Sequence, residues 1–182
     1  NVGDNSAKSN PIYTIGSSYN PTDTALSNMY GIGYSSSPFT SLLTGWGMYV
    51  AADGDARIGL CGSTGDIRAT GNITAYYSDE RLKDFDGKID NALDKVMKLN
   101  GYYFTENAKA KELGYSNERR QVGVSAQEVE AVLPEVVTDA PMHNNDDDYM
   151  TVWYDKLVPL LIEAIKEQQV QIDELKALVG GA

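Results

Sequence analysis

Seven residues near the end of the chain, Val158, Leu161, Ile165, Gln168, Ile172, Leu175 and Val179, follow one another at alternating spacings of three and four. That is the a/d repeat of a helical seam that packs against another helix, and neither strand nor loop produces it. The last segment is therefore expected to be one long helix in a coiled coil. Asp155 is placed to cap it, which leaves Pro159 in the first turn, where a missing amide matters little. Ile at a with Leu at d favours a dimer by itself. Gln168 sets a polar layer at a d position and weakens that preference, so the body of the domain has a say in the copy number. The same spacing also fits a single amphipathic helix docked on its own core.

The rest of the chain changes character at about residue 77. Residues 1–77 hold 11 of the 17 glycines and 7 of the 12 tyrosines but only 8 charged residues, whereas residues 78–182 hold 33 charged residues. Two domains are expected, 1–77 and 78–182. The first reads as short strands over 11–15, 29–34, 46–51, 56–60 and 72–76. Between them lie turn residues such as Tyr19-Asn20-Pro21, Asp53-Gly54-Asp55 and the stretch 62–66. Few Leu, Ile or Val are left for a private core. Such a segment can close its core against identical copies, as intertwined fibre stems do; the rival is a small monomeric β-domain.

The second part mixes helix and strand. Ile89, Ala92, Leu93, Val96 and Leu99 recur at helical spacing, with Gly101 as the stop. Residues 102–105 and 121–124 read as strands, with a polar excursion over 109–120 between them. Ser125-Ala126-Gln127-Glu128 is a capping box that opens a helix carrying Val129, Val132 and Leu133 and ending at Pro134. Extended stretches at 135–138 and 149–153 flank an acidic loop. The fold class is α+β: a β-rich, intertwined segment, then a mixed α/β domain ending in a long coiled-coil helix.

Several functions are disfavoured. The net charge of −11 argues against a nucleic-acid partner, and the only adjacent basic pair is Arg119-Arg120. No run of about 18 apolar residues exists for insertion in a membrane. The first residues lack the order of a signal peptide. Cys61, the single cysteine, has no internal disulfide partner and fits a small buried apolar role in a reducing compartment. His143, the only histidine, sits in a polar loop without a nucleophile elbow. Asp146-Asp147-Asp148 with Asn144 and Asn145 lack EF-hand spacing, so no metal is expected there. Gly31-Ile32-Gly33 and Gly45-Trp46-Gly47 open no helix and read as packing glycines. A glycosidase would need two of Asp23, Asp53, Asp55 and Asp66 at about 5–9 Å. The tyrosines and Trp46 suit either a host receptor-binding face on 1–77 or packing at an oligomer axis.

Three stretches of the second part carry a family likeness. Tyr77-Ser78-Asp79-Glu80-Arg81-Leu82-Lys83 resembles the opening Ser-Asp-x-x-x-Lys element of the peptidase S74 family, the intramolecular chaperone auto-processing domains of phage tailspikes, endosialidases and fibres. Gly123-Val124-Ser125-Ala126-Gln127-Glu128-Val129 through Leu133-Pro134-Glu135-Val136-Val137 is similar to its central motif. Asp155-Lys156-Leu157-Val158-Pro159-Leu160-Leu161 through Glu167 is similar to its final helix. Order and spacing agree over 78–182; Ser125 departs from the aliphatic residue commoner there. The resemblance implies a homotrimer that templates folding of the preceding fibre segment and then cuts itself free. It implies a single-turnover serine endopeptidase without cofactor, folded and cleaved in the host cytoplasm. The fibre would stay on the virion tail, and the released chaperone would not.

Within that likeness the catalytic pair is Ser78 and Lys83, with Tyr77–Ser78 as the scissile bond and Asp79 and Arg81 as supports. Cleavage after Ser78, and a tip that never cleaves, stay open. A lysine is protonated at neutral pH unless burial lowers its pKa, so a base at Lys83 has to be buried. Residues five apart lie roughly 140° apart round a helix of about 3.6 residues per turn, and on opposite faces of a strand. A bend, or the lysine of a neighbouring subunit, is required to form the pair, so cleavage waits for folding. The plainer alternative makes Ser78 a helix N-terminus, with Lys83 pairing Asp79 four residues back.

Overall fold

Residues 10–14, 26, 29–35, 41–115, 117–141 and 149–180 are described by a computed structural model. The chain divides into two compact units, Asn1–Asp79 and Glu80–Ala182. Strands and helices are both present and the chain ends in a long helix, an α+β organisation.

In the first unit, β1 (Asn10–Thr14), β2 (Gly31–Ser35), β3 (Gly47–Ala52), β4 (Asp55–Cys61) and β5 (Ile67–Ala69) form one antiparallel sheet in sequence order. The β3–β4 turn is made by Asp53 and Gly54, both at positive φ (53° and 77°), the primed hairpin geometry that Asp-Gly favours. Tyr49 is the centre of the core, 1% exposed, with Leu26, Met29, Leu43 and Ala51 around it. In register it stands between Gly33 and Gly59. A Cβ at Gly33 would collide with the Tyr49 ring, and one at Gly59 would come within 2.6 Å of the Leu42 carbonyl oxygen. The glycines therefore thin the strands where the core needs room, rather than interrupt them.

The expected strand over 72–76 is not formed. The turn after Cys61 closes early, with the Gly65 N–H donating to the Cys61 carbonyl at 2.7 Å, so pairing with β4 falls on Ile67–Ala69. Ile73 and Tyr76 are left exposed.

The second unit contains α1 (Ala92–Met97), β6 (Tyr102–Phe104), α2 (Ala108–Glu112), β7 (Gln121–Gly123), α3 (Ala126–Glu130), β8 (Val137–Asp139), β9 (Met150–Val152) and α4 (Val158–Gly180). β6 pairs with β7 and β8 with β9, each as an antiparallel ladder. Ala92, Val129, Leu133, Val136, Val152, Leu160 and Ala164 make its core, with Ile89, Leu93, Val96 and Leu99 packed on it as the helical spacing requires.

Local details differ from expectation in four places. The polar stretch after 105 contains α2, capped by the Asn107 side chain, which accepts from the Ala110 N–H at 2.9 Å. α1 ends at Lys98 in a right-handed conformation, with the Lys98 N–H on the Lys95 carbonyl and the Leu99 N–H on that of Val96, so Gly101 supplies no left-handed stop. Asp155 lies inside a 3-10 turn, Tyr154–Leu157, that runs straight into α4, with Pro159 second in that helix. The capping box is half made: Ser125 Oγ accepts from the Glu128 N–H at 3.4 Å, but the Glu128 carboxylate goes elsewhere. No helix among the described residues is long and apolar enough to cross a membrane.

Candidate functional site

The serine–lysine junction is an exposed, irregular stretch of chain. Tyr76 stands in the left-handed region (φ 64°), a rare conformation for a tyrosine, immediately before Tyr77 and Ser78. Tyr77, Ser78 and Asp79 belong to no helix or strand, and all three are exposed. A 3-10 turn, Glu80–Leu82, follows, and the Lys83 N–H donates to the Glu80 carbonyl at 3.1 Å. Ser78 is thus followed by a single 3-10 turn rather than by an α-helix. Arg81 and Lys83 are exposed, as are the apolar side chains of Leu82 (64%) and Phe85 (71%). One copy of the chain does not supply the burial that a lysine base calls for.

The final helix has two distinct faces. Leu160 (0% exposed) and Ala164 (4%) belong to the core, with Leu157 packed beside them. Three residues on from Ala164, Glu167 reaches the start of α1 and accepts from the backbone N–H groups of Ala92 and Leu93. This stripe docks the helix on its own unit. The a/d residues are a different set. Leu161, Ile165, Ile172, Leu175 and Val179 are 46%, 65%, 39%, 61% and 78% exposed. From Gln168 through Gly180 every residue is exposed. The docked-helix and seam readings therefore fall on different residues of one helix, and within a single chain the a/d residues are exposed.

A second polar cluster ties α3 to the strand after α1. Glu128 accepts from the Asn100 backbone N–H at 3.1 Å and from the Tyr102 hydroxyl. The tyrosine hydroxyl, helped by Asn100, holds the Glu128 carboxyl below the usual carboxylate range, and Glu128 in turn pushes the Tyr102 phenol up. On the edge of that ladder the Arg120 guanidinium lies 3.7 Å over the Tyr103 ring. Sequence reasoning placed Glu128 as the returning half of a capping box and missed its partners. Glu167 was legible only as one residue of the final helix.

In the first unit Tyr34 and Trp46 stack at 6.2 Å, 10° from parallel, beside an open hollow of about 530 Å³ lined also by Met48, Leu60, Cys61 and Ile67. Cys61 is buried. The hydroxyls of Thr44, 3.0 Å from Sγ, and Thr64 lower its thiol to about 7. Asp55 pairs with Arg57 at 3.5 Å and Asp66 with Arg68 at 2.9 Å, so these carboxylates are engaged along their own strands. Asp23, His143, Asn144, Asn145 and Asp146-Asp147-Asp148 lie outside the described residues. Among the described residues no group of three or more His, Cys, Asp or Glu is placed to hold a metal.

Comparison with known proteins bears out the resemblance. Residues 78–138 match the peptidase S74 family model, described as chaperone of endosialidase. The chain is 35% identical over 117 residues to the long tail fiber protein Gp37 of Enterobacteria phage K3, a stretch covering 62% of this chain and 9% of that protein. It has the same identity over 117 residues to the protein of that name from Enterobacteria phage T2, covering 62% and 8%. Against that of Enterobacteria phage Ox2 it is 36% identical over 109 residues, covering 58% and 42%. The chain thus spans less than half the length of each of these relatives.

Proposed function

We propose that this chain belongs to a phage tail fibre and that its residues from Ser78 onward act as an intramolecular chaperone. Three copies join through α4, the joined units template the folding of the fibre segment before them, and the chain then cuts itself at Tyr77–Ser78. The observation that carries this reading is the uncovered a/d seam of α4, next to a separate stripe that already satisfies the helix's own core. A helix that needed only to dock would not carry apolar residues on its free face out to Val179.

The chemistry assigned to the junction uses no cofactor. The Ser78 hydroxyl attacks the Tyr77 carbonyl carbon while Lys83 takes the hydroxyl proton. The Tyr77–Ser78 C–N bond breaks, the proton passes to the departing Ser78 nitrogen, and Tyr77 is left esterified on Ser78 Oγ. Water hydrolyses the ester and frees the two pieces. Because Lys83 is exposed in one copy, the burial that makes it a base comes with assembly, whether its own Ser78 or a neighbour's receives it. Cleavage then reports completed folding. Asp79 and Arg81 are assigned to holding the turn.

Expression of the chain followed by a denaturing gel and N-terminal analysis tests the assignment. The unaltered chain is expected to give two fragments, the larger beginning at Ser78, and Ser78→Ala and Lys83→Ala one intact species. An unaltered chain that stays whole while assembling as a trimer would leave a permanent fibre tip, without proteolysis.

A further inference from the structure

Among the described residues, three that are not glycine take a positive φ: Asp53 (53°), Asn91 (48°) and Tyr76 (64°). Asp and Asn enter that region with little resistance, because a short polar side chain bonds to the backbone nearby. Asp53 makes the β3–β4 turn, and Asn91 stands before α1. Tyrosine has no such help. Its Cβ crowds the backbone in the left-handed region, and a side chain 73% exposed is not held there by core packing. The path of the chain imposes the conformation, and it does so two residues before Ser78.

Each end of the segment that carries Tyr76 is tied within its own unit. Upstream, the Thr70 N–H donates to the Arg57 carbonyl at 2.9 Å, where β5 finishes its pairing with β4. Downstream, the Lys83 N–H closes the Glu80–Leu82 turn. The alternation over 72–76 favours an extended run, and the left-handed residue ends it. Tyr77, Ser78 and Asp79 therefore continue in no strand. A carbonyl in a ladder is fixed by the bond it accepts, whereas the Tyr77 carbonyl is presented on a corner. Strain of this kind persists only where the surrounding chain enforces it, and it gathers at sites that use it.

We propose that Tyr76 is a positioning residue for the self-cutting step, its left-handed backbone setting the Tyr77 carbonyl carbon for attack by the Ser78 hydroxyl. The proposal rests on the cleavage assigned above. There the acyl group of Tyr77 passes from the Ser78 nitrogen to Ser78 Oγ, and Lys83 carries the proton the other way. Tyr76 contributes through the peptide that joins it to Tyr77, and its phenol takes no part. After cleavage it stands one residue from a new chain end and is free to relax, which opposes rejoining of the pieces.

The test replaces Tyr76 in the full chain, made by cell-free synthesis, with samples quenched in denaturant at intervals and run on a gel. Tyr76→Gly and Tyr76→Asn admit the left-handed region. Tyr76→Val resists it through a branched side chain, and Tyr76→Pro excludes it by holding φ at about −65°. The first pair should cut faster than the second, on the order of tenfold. Native mass spectrometry of the same variants carrying Ser78→Ala should give one copy number across the set. Equal cutting by all four would overturn the proposal. So would cutting by Tyr76→Phe while Gly and Asn fail with Val and Pro, because the ring would then be what matters. A loss of cutting that tracks a loss of copy number would overturn it too, placing Tyr76 in assembly. In each of these cases the unaltered chain still cuts. An unaltered chain that stays whole would instead remove the self-cutting reading, and the role of Tyr76 with it.

Discussion

The carboxylate of Glu167 bridges the first turn of α1: Oε1 accepts from the Ala92 N–H at 2.9 Å and Oε2 from the Leu93 N–H at 2.8 Å. A helix start leaves amides without intrahelical partners, usually met by the residue just before it. Here that residue, Asn91, is in the left-handed region (φ 48°) and makes no side-chain cap. Its place is taken from the far end of the unit, by a charge that also complements the helix dipole. The contact fixes the rotation of α4 about its axis, and with it the direction in which Leu161, Ile165 and Gln168 point.

Glu167→Ala should therefore destabilise the second unit by about 1–3 kcal/mol, the range for a lost cap with charged hydrogen bonds. Glu167→Gln keeps one acceptor and should lose less. Urea titration followed by far-UV circular dichroism measures both. Equal loss in the two variants would mean that the carboxylate charge is unimportant and only the contact counts.

Acid should loosen the α3 attachment. The Tyr102 hydroxyl and Asn100 hold Glu128 below the ordinary carboxylate pKa, so the folded form gives up this proton more readily than the unfolded chain. The stabilisation is then fully present above the unfolded glutamate value of about 4.3 and is lost as pH falls through the lower folded value. At the alkaline end the raised Tyr102 pKa works the other way, and stability falls as pH rises past the ordinary tyrosine range. In Glu128→Gln the acid limb of a stability-versus-pH curve should flatten. An acid limb of unchanged slope would remove the carboxylate from that account.

Gly33 should tolerate no side chain. The Tyr49 hydroxyl and ring occupy the space a Cβ would take, and Tyr49 is too buried to step aside. Gly33→Ala is expected to cost about 1–3 kcal/mol, the range for overpacking a core. Combining it with Tyr49→Phe should recover part of that, because the hydroxyl is one of the atoms the new methyl meets. Thermal melts of the single and double variants compare the two directly.

What was legible in the sequence follows from how local each signal is. The long helix α4, the Asp53-Gly54 turn and the Ser125 cap are set by neighbours within a few positions, and all three were readable. Glu167 on Ala92 joins residues 75 apart, and no periodicity encodes it. Strand β5 is three residues long, too short to show alternation, while Asn72-Ile73-Thr74-Ala75-Tyr76 alternates and yet is not a strand. α2 was hidden by polarity, although Asn107 before Ala108-Lys109-Ala110-Lys111 is a cap followed by good helix formers. At the junction the Ser78–Lys83 spacing pointed to a bend, and spacing says nothing of what surrounds the lysine.

Two adjacent leucines separate the folding of the second unit from the proposed assembly. Leu160 is fully buried and Leu161 is 46% exposed at the proposed seam, one residue further round the same helix. Leu160→Ala should destabilise the second unit by about 2–5 kcal/mol, as a deleted core leucine does. Leu161→Asp changes a half-exposed residue outside that buried cluster and should leave the helical circular dichroism of a single copy intact. In an assembled seam, however, it places a charge where apolar side chains meet, so copy number by native mass spectrometry should fall to one. If cleavage depends on cover supplied by other copies, the Leu161→Asp chain should also persist uncut on a denaturing gel, although Ser78 and Lys83 are both unaltered. A folded, monomeric Leu161→Asp chain that cuts itself at the normal rate would show that one copy completes the site, and would separate proteolysis from assembly.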